Sequence, residues 1–272
     1  MHHLRLWKRS FFWLSVTAFL ITLILFGIYS LQYDQQLRQA RSQYRSLQKK
    51  AIRRSPPQTI SEEKNYSKKK YKKRTVIIPN IDFPLLWKHN SDIYAWIMIP
   101  DTNISYPILQ HSKYDTYYLN HNLNGSTGYP GCIFSKTQSK KDFTDALLIL
   151  YGHNMRNGTM FGALRQLDNP DFVKKAYFIY IITPTSKILY RIRSSAVWCN
   201  KDILYTFSNT PDSIYHFVRA IDLHGTSQSK ILLLNASKDK KAHWLVLSTC
   251  GSDPKTRFFI IAQNKMNGGN NY

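Results

Sequence analysis

A cysteine and an arginine stand at the two ends of a short polar turn, in a pattern suited to nucleophilic catalysis. Cys250 closes an apolar run that begins at Trp244, and Arg257 opens the next apolar run, which ends at Ala262. Alternation along the first run predicts a strand with the thiol at its end, beside a loop. A guanidinium across the turn would stabilise the thiolate, and fixed donors there would stabilise an oxyanion.

A histidine ends a second predicted strand. Residues 145–151 form an apolar run typical of a buried strand, and Gly152 and His153 follow it. A histidine in that place can act as an acid or base toward a thiol. The plainer interpretation is an ordinary buried cysteine and a solvated arginine, since free cysteines are usually packing residues. The segment that ends in His153 favours a catalytic role for the cysteine and the arginine over that interpretation.

The order histidine, cysteine, arginine, each at a strand end, resembles that of the sortases, the cysteine transpeptidases of Gram-positive cell surfaces. The sequence Leu247-Ser-Thr-Cys250 followed by Arg257 is similar to the family's signature strand pair. Several further segments are similar to the class B version of the family: Tyr151-Gly-His153-Asn-Met, Met160-Phe161, Tyr94 to Ile108, and Tyr117-Tyr-Leu-Asn-His121-Asn. The resemblance covers the chain from about Phe83 to Ala262.

The resemblance implies a mechanism and assigns roles to three residues. Cys250 would attack the threonine carbonyl of a Pro-x-Thr-type sorting signal near the carboxyl end of a secreted protein, forming a thioester. His153 would protonate the leaving amine, and Arg257 would help to bind the substrate and hold the oxyanion. An amine of a peptidoglycan precursor would resolve the thioester, and no cofactor is implied. The weaker candidates for substrate or oxyanion binding are Asn154, through its backbone N–H, Thr249, Ser248 and Tyr151.

Two other functions remain open. In one, the same chemistry polymerises pilins or hydrolyses peptides, with a pilin lysine or water as the acceptor. In the other, the chain is a non-catalytic, membrane-tethered module that binds wall polymer. Metal catalysis has no support, because the sequence has no HExxH motif, paired CxxC motif or carboxylate cluster.

The other histidines and cysteines receive structural interpretations. His121 is interpreted as structural, and His243 as a residue at the start of a strand. Cys132 and Cys199 could form a disulfide outside the cell. Two isolated buried thiols are the favoured interpretation of that pair, and Cys250 is then the free, reactive thiol.

Short apolar runs between turn signals predict a mostly β fold with short helices, a sortase-like closed barrel of about eight strands. Pro107 inside one run indicates an edge or a bulge. A short helix from Phe83 to Asn90 should precede the barrel. A second helix, Thr210 to Ile221, is predicted in the long loop before the cysteine strand, which the resemblance makes one wall of the substrate groove. The predicted strands are Tyr94–Ile99, Ile104–Leu109, Ala146–Tyr151, Tyr177–Ile182, Lys187–Arg193, Ile231–Leu234, Trp244–Ser248 and Phe258–Ala262.

An uncharged apolar run from Phe11 to Leu31 predicts a transmembrane helix in this chain of 272 residues. As a helix the run is about 31 Å long, enough for a hydrocarbon core of about 30 Å. A cleaved signal peptide is the alternative, but no clear cleavage site follows. The basic residues after the helix outnumber those before it, which disfavours an outside carboxyl-terminal domain. Long domains translocate largely regardless of charge, and the sortase resemblance implies an outside site.

The expected organisation is a cytoplasmic head (1–10), a signal anchor (11–31), a basic stalk (32–75), a catalytic domain (76–264) and a flexible tail (265–272). The stalk carries 14 lysines and arginines against three acidic residues, half of the formal net charge of +22. So polar a segment should bury no core and be helical in its first part at most, with disorder around 68–74. Beside a membrane it would meet anionic lipids or wall polymers rather than nucleic acid. A solvated spacer that binds neither is the equally supported alternative.

Overall fold

The computed structural model describes residues 2–53, 58–60, 74–169, 178–199, 214, 216, 217, 220, 242–251, 253 and 255–265. The chain divides into two compact units, Met1–Gln43 and Tyr44–Tyr272. Helix α1 (His2–Ala51) provides nearly all of the first unit, and its last turns belong to the second. The second unit contains a β-barrel and the candidate active site.

Helix α1 is long and apolar enough in its first half to cross a membrane. The large apolar side chains between Phe11 and Leu31 are exposed, Phe11 and Phe26 by 73% and 70%. So many contiguous exposed apolar groups are unusual on a surface that faces water. The predicted apolar helix is present as part of α1, which continues into the basic segment as far as Ala51.

The last turns of α1 contribute to the packing of the second unit. Tyr44, Leu47 and Ala51 are buried, and the backbone N–H of Asp82 donates to Ala51 O at 2.9 Å. The compact unit thus begins at Tyr44, ahead of the boundary expected at Val76. Buried residues at i, i+3 and i+7 mark one face of a helix, a signal obscured in the sequence by the surrounding charges.

Four short strands and a short helix lead to the barrel: β1 (Ile52–Arg53), β2 (Gln58–Ile60), β3 (Arg74–Val76), β4 (Asn80–Ile81) and α2 (Phe83–His89). Strand β1 pairs with β4, and β2 pairs with β3. Helix α2 begins where Asp82 Oδ1 accepts the backbone N–H of Leu85 at 3.1 Å, with a proline in the first turn. The predicted helix before the barrel is confirmed.

Eight strands form the closed barrel: β5 (Ile93–Met98), β6 (Ser105–Leu109), β7 (Ile133–Phe134), β8 (Leu147–Tyr151), β9 (Phe178–Ile182), β10 (Lys187–Cys199), β11 (Ala242–Cys250) and β12 (Thr256–Lys265). Their order around the barrel is β10-β12-β11-β8-β7-β6-β5-β9. The predicted closed barrel is confirmed. Strand β7 was missed because it is too short to show a period, and the predicted strand 231–234 lies outside the described residues.

Pro107 lies in β6 opposite Trp96 of β5. On the other side of β6, strand β7 pairs with Ile108 and Leu109, beginning one residue after the proline. The missing N–H of Pro107 is therefore accommodated at a local edge, as its place in the sequence predicted.

Strands β8, β11 and β12 are buried on both faces. One face of these three strands contributes to a hydrophobic core cluster. The cluster also contains Ile214 and Phe217, which are 3% and 0% exposed. These two, with His216 and Ala220, are the described residues of the predicted helix 210–221, and all four have helical backbone. The rest of that stretch lies outside the described residues. A helical cover explains why these strands are continuously apolar rather than alternating.

Two 3₁₀ helices, η1 (Tyr117–Leu119) and η2 (Phe161–Asp168), complete the described elements. Helix η1 lies in the connection between β6 and β7, and η2 follows the histidine-bearing turn after β8. Both flank the end of the barrel at which His153 leaves the sheet.

Candidate active site

Two neighbouring parallel strands bring the histidine and the cysteine to the same end of the barrel. In the pairing of β8 with β11, Tyr151 lies opposite Ser248. His153 and Cys250 each follow that pair by two residues. Parallel strands in register end on the same side. A histidine and a cysteine separated by almost a hundred residues in sequence thus share one edge of the sheet.

The turn that carries His153 is tied to β11. The backbone N–H of Gly152 donates to Ser248 O at 3.1 Å, and Thr249 Oγ1 donates to Gly152 O at 2.8 Å. A Cβ atom on Gly152 would lie 2.5 Å from Ile133 Cδ1 and 2.8 Å from Phe161 Cδ2. Glycine therefore allows the turn to lie directly against β7 and η2.

Arg257 lies directly across the β11–β12 hairpin from Cys250. Its Nη1 donates a hydrogen bond to Cys250 Sγ at 2.9 Å. Asp253 shapes the connecting turn, since its backbone oxygen accepts Thr256 N–H at 2.9 Å and its carboxylate accepts Lys255 N–H at 2.8 Å. The short turn thus sets the arginine against the sulfur, where a cation stabilises a thiolate.

Asn154 connects the histidine turn to the cysteine backbone. Its side-chain Nδ2 donates to Cys250 O at 2.9 Å, and its backbone forms an isolated antiparallel bridge with Met160. The other weaker candidates have packing contacts in the free protein. Thr249 and Ser248 are buried, and Tyr151 stacks on Phe134 with 5.5 Å between ring centroids.

His153 is half-buried and bonded to a backbone carbonyl. Its Nε2 lies 2.7 Å from Leu119 O. A carbonyl only accepts, so Nε2 carries the proton. In the neutral ring, Nδ1 is then the nitrogen available to accept a proton.

Burial is the largest influence on the pKa of His153 and lowers it from 6.5. The hydrogen bond to Leu119 raises the pKa, and the positive charge of Arg257 lowers it. The net effect lowers the pKa, because burial and a neighbouring cation both disfavour the imidazolium. His153 is therefore mainly neutral at pH 7, with its proton on Nε2.

Three residues at the site escaped the sequence interpretation. The Tyr129 ring lies 4.9 Å from the His153 ring, centroid to centroid, and Leu119 acts through its backbone. Trp198 of β10 lies opposite Arg257 of β12, which in turn lies opposite Cys250. Directly opposed residues of antiparallel strands share a face. Trp198, Arg257 and Cys250 therefore form one row across β10, β12 and β11. This row joins distant segments of the chain, so a single sequence does not reveal it.

The remaining histidine candidates have structural partners. The Nδ1 of His121 lies 2.8 Å from Tyr117 O, and its ring stacks on Tyr117 at 3.8 Å. The Nδ1 of His243, near the start of β11, lies 2.8 Å from Asp145 O. These contacts support the structural interpretation of both. Among the described residues, no group of three histidines, cysteines or carboxylates is arranged to hold a metal ion.

All three cysteines are free thiols. Cys132 is buried, as expected of an isolated thiol, and burial raises its pKa to about 12. Cys199 is exposed at the end of β10, so the expectation that it is buried was wrong. Cys199 is the last residue of β10.

Residues 97–265 match the sequence profile of the sortase domain family. The chain is 32% identical to sortase B of Listeria monocytogenes over 175 residues, which cover 62% of this chain and 66% of the Listeria protein. The match thus spans just under two thirds of that relative.

Solved structures agree with this match. A Streptococcus pyogenes class B sortase involved in pilus biogenesis superposes with a TM-score of 0.57 and 27% identity, over 67% of this chain and 97% of that one. Sortase B of Clostridium perfringens, 23% identical, superposes with a TM-score of 0.59 over 67% and 86% of the two chains, a likeness of fold. A family match over more than half of its length, with class B relatives in sequence and structure, establishes that the chain belongs to the sortases.

Proposed function

We propose that this sortase is a membrane-anchored cysteine transpeptidase. It cleaves a Pro-x-Thr-type sorting signal after the threonine, through a thioester on Cys250, and transfers the protein to a cell-wall amine. The observation that carries the proposal is the 2.9 Å hydrogen bond from Arg257 Nη1 to Cys250 Sγ, at the edge of the sheet where His153 follows the end of β8 by two residues.

In the acylation step, the neutral His153 takes the thiol proton at Nδ1, and the sulfur attacks the threonine carbonyl carbon. Negative charge moves to the carbonyl oxygen, and Arg257, already beside the sulfur, donates to that oxyanion. The tetrahedral intermediate collapses, the peptide C–N bond breaks, and His153 returns its proton to the leaving amine. The product is a thioester between the threonine and Cys250.

Deacylation reverses these roles. An incoming amine attacks the thioester carbon while His153 takes a proton from its nitrogen, and Arg257 again donates to the oxyanion. The C–S bond breaks, and the sulfur leaves with Arg257 as its hydrogen-bond partner and regains the proton from His153. Two features of the free protein support these steps, the hydrogen bond from Arg257 to Cys250 Sγ and the neutral state of His153. In particular, the lowered pKa of His153 provides a neutral base at pH 7.

The test is product analysis with the full chain in detergent micelles. A panel of Pro-x-Thr-x peptides is incubated with an amine acceptor and analysed by mass spectrometry. We expect a transpeptidation product that ends in threonine joined to the acceptor. Cys250→Ala should abolish it, whereas Cys199→Ala, which removes another thiol that is not buried, should leave the yield unchanged. A product that survives Cys250→Ala would refute the proposal.

A pilin-polymerising role is the second candidate, favoured by the Streptococcus pyogenes relative described as involved in pilus biogenesis. The chemistry is the same, and only the acceptor differs. Competing a wall-precursor peptide amine against a peptide with a pilin-type lysine would separate the two, because the preferred acceptor gives the larger kcat/KM. If wild type cleaves no peptide, and wall polymer binds equally to wild type and Cys250→Ala, the non-catalytic module is the better description.

The membrane anchor is part of the same proposal. It is supported by the exposed apolar side chains of α1 between Phe11 and Leu31. We propose a single-pass protein with its barrel outside the cell. The protein should stay in the membrane fraction after an alkaline carbonate wash, and protease added to intact protoplasts should digest the barrel. A protected barrel would contradict the orientation.

A further inference from the structure

We propose that Tyr44, in the last turns of α1, is a positioning residue for His153. Its hydroxyl group holds the backbone of Gly131 and Cys132, which in turn fixes the carbonyl group that orients the imidazole. The inference rests on the proposed role of His153 in proton transfer, and it assigns to the basic segment before the barrel a part in the geometry of the active site.

The chain of contacts begins at the imidazole. His153 Nε2 donates to Leu119 O at 2.7 Å, and Leu119 is the last residue of η1. The preceding residue, Tyr118, is fixed at both ends. Its hydroxyl donates to Asp92 Oδ2 at 2.7 Å, and its carbonyl accepts the backbone N–H of Cys132 at 2.9 Å. The carbonyl that receives the histidine proton is thus carried by an anchored turn.

Gly131 packs directly against this turn. It has a φ of 62°, a left-handed conformation that favours glycine. A Cβ atom there would lie 2.7 Å from both Leu119 O and Tyr118 O. The backbone of Gly131 therefore limits where the Leu119 carbonyl can move. Its own N–H is fixed by Asn122 Oδ1 at 3.1 Å.

Tyr44 holds Gly131 from the other side. Its hydroxyl donates to Gly131 O at 2.9 Å and lies 3.2 Å from Cys132 Sγ. The Tyr44 side chain is 5% exposed, and burial raises its pKa well above the usual value. The hydroxyl therefore keeps its proton at physiological pH. A buried donor of this kind fixes its acceptor more firmly than an exposed one, because no water replaces it.

The effect on His153 follows from its surroundings. The groups facing the ring are the Leu119 carbonyl, Tyr129 of the loop before β7, and Arg257 of β12 beside Cys250 of β11. Of these, the carbonyl selects the Nε2–H tautomer and supports the imidazolium. If Gly131 and the Leu119 carbonyl loosen, the imidazole should sample the other tautomer and lose part of its basicity at Nδ1.

The experiment uses the full chain in detergent micelles, with ¹⁵N-labelled histidine to report the His153 tautomer and its pH titration by NMR. Tyr44→Phe removes the hydroxyl and keeps the ring that contacts Tyr106. We expect a mixture of tautomers, a His153 pKa below that of wild type, and a fall in kcat of about three- to tenfold with KM within about twofold.

Gln48→Leu is the matched control. Gln48 lies one turn further along α1 and donates to Ser105 O, away from Gly131. It should leave the tautomer, the His153 pKa and kcat unchanged. If Tyr44→Phe matches wild type in tautomer and titration, or if Gln48→Leu alters them equally, the positioning role is wrong.

A second variant keeps the test decisive if Tyr44→Phe folds poorly. Asn122→Ala removes the acceptor of the Gly131 N–H, the other hydrogen bond that holds this backbone, and it should produce the same mixture of tautomers. An unchanged tautomer in this variant would overturn the link from Gly131 to the imidazole. The NMR signature does not depend on catalysis. A wild type that cleaves no peptide would therefore overturn the proposed function, while the tautomer comparison would still decide the role of Tyr44.

Discussion

The hydrogen bond from Arg257 to Cys250 Sγ gives the sulfur a cationic partner before any substrate arrives. The arginine is planar, always charged and set directly across the hairpin. In the proposed reaction the same guanidinium then serves the oxyanion, which develops on the atom next to the attacked carbon. One residue thus stabilises negative charge at successive positions along the reaction.

Replacing Arg257 with methionine should slow alkylation of Cys250 by iodoacetamide at pH 7 about tenfold, because a charge-assisted hydrogen bond to the sulfur is lost. The alkylation rate of Cys250 in Arg257→Lys should lie between the rates in wild type and in Arg257→Met. Alkylation of Cys199 in the same molecule is the internal control, and mass spectrometry after digestion measures both sites. Equal alkylation of Cys250 in wild type and Arg257→Met would show that the arginine does not stabilise the thiolate.

The pKa of His153, lowered by burial, has a consequence for stability. Between the folded-state pKa and 6.5, the unfolded chain binds more protons at this residue than the folded chain does. The contribution of His153 to stability is therefore present above pH 6.5 and is lost as pH falls through the folded-state pKa.

Denaturant unfolding of wild type and His153→Gln at pH 5 to 8 tests this. The difference in the free energy of unfolding between them should change with pH by at most about 1.4 kcal/mol per unit, with wild type losing stability faster on acidification. A difference that is constant across this range would contradict the lowered pKa.

Among the elements, the parallel pair β8 and β11 and the hairpin of β11 with β12 decide the geometry. Their apolar runs and the residues that end them are visible in the sequence, so the strand-end positions of His153, Cys250 and Arg257 were predictable. The partners of these residues were not. The Leu119 carbonyl has no sequence signal, and Trp198 reaches Arg257 through a strand register that a single sequence does not reveal.

The row across β10, β12 and β11 predicts a role for Trp198 in substrate binding. Trp198→Ala should raise KM for the sorting peptide about tenfold, since an aromatic contact on the cysteine face is lost. Val197→Ala is the matched control, because adjacent residues of a strand point to opposite faces. Steady-state kinetics measures both variants. Equal KM values for the two variants would place the substrate elsewhere.

The whole molecule differs most from expectation in the last turns of α1, from Tyr44 to Ala51, which belong to the second unit. A segment with so many lysines and arginines was expected to bury nothing. Tyr44, Leu47 and Ala51 are nevertheless buried in that unit, 5%, 3% and 0% exposed. Three apolar residues on one face of a helix are too few to be recognised among so many charged residues. The boundary of the compact unit was therefore not predictable from composition.

Truncation tests the contribution of these residues. A chain that starts at Tyr44 should be more stable than one that starts at Ile52, the first residue after α1, by about 3 to 5 kcal/mol, since burial of one large apolar side chain contributes about 1.5 to 3 kcal/mol. Urea denaturation followed by tryptophan fluorescence measures the difference. Equal midpoints would mean that the last turns of α1 contribute nothing to folding.

The most direct measurement of the proposed chemistry is intact-mass spectrometry of the full chain incubated with a Pro-x-Thr-x peptide and no amine acceptor. The mechanism predicts a mass increase equal to the peptide up to its threonine, carried by Cys250. The adduct should persist in Cys199→Ala and disappear in Cys250→Ala. An adduct that survives Cys250→Ala, or none with any peptide of the panel while Cys250 is alkylated readily, would contradict it.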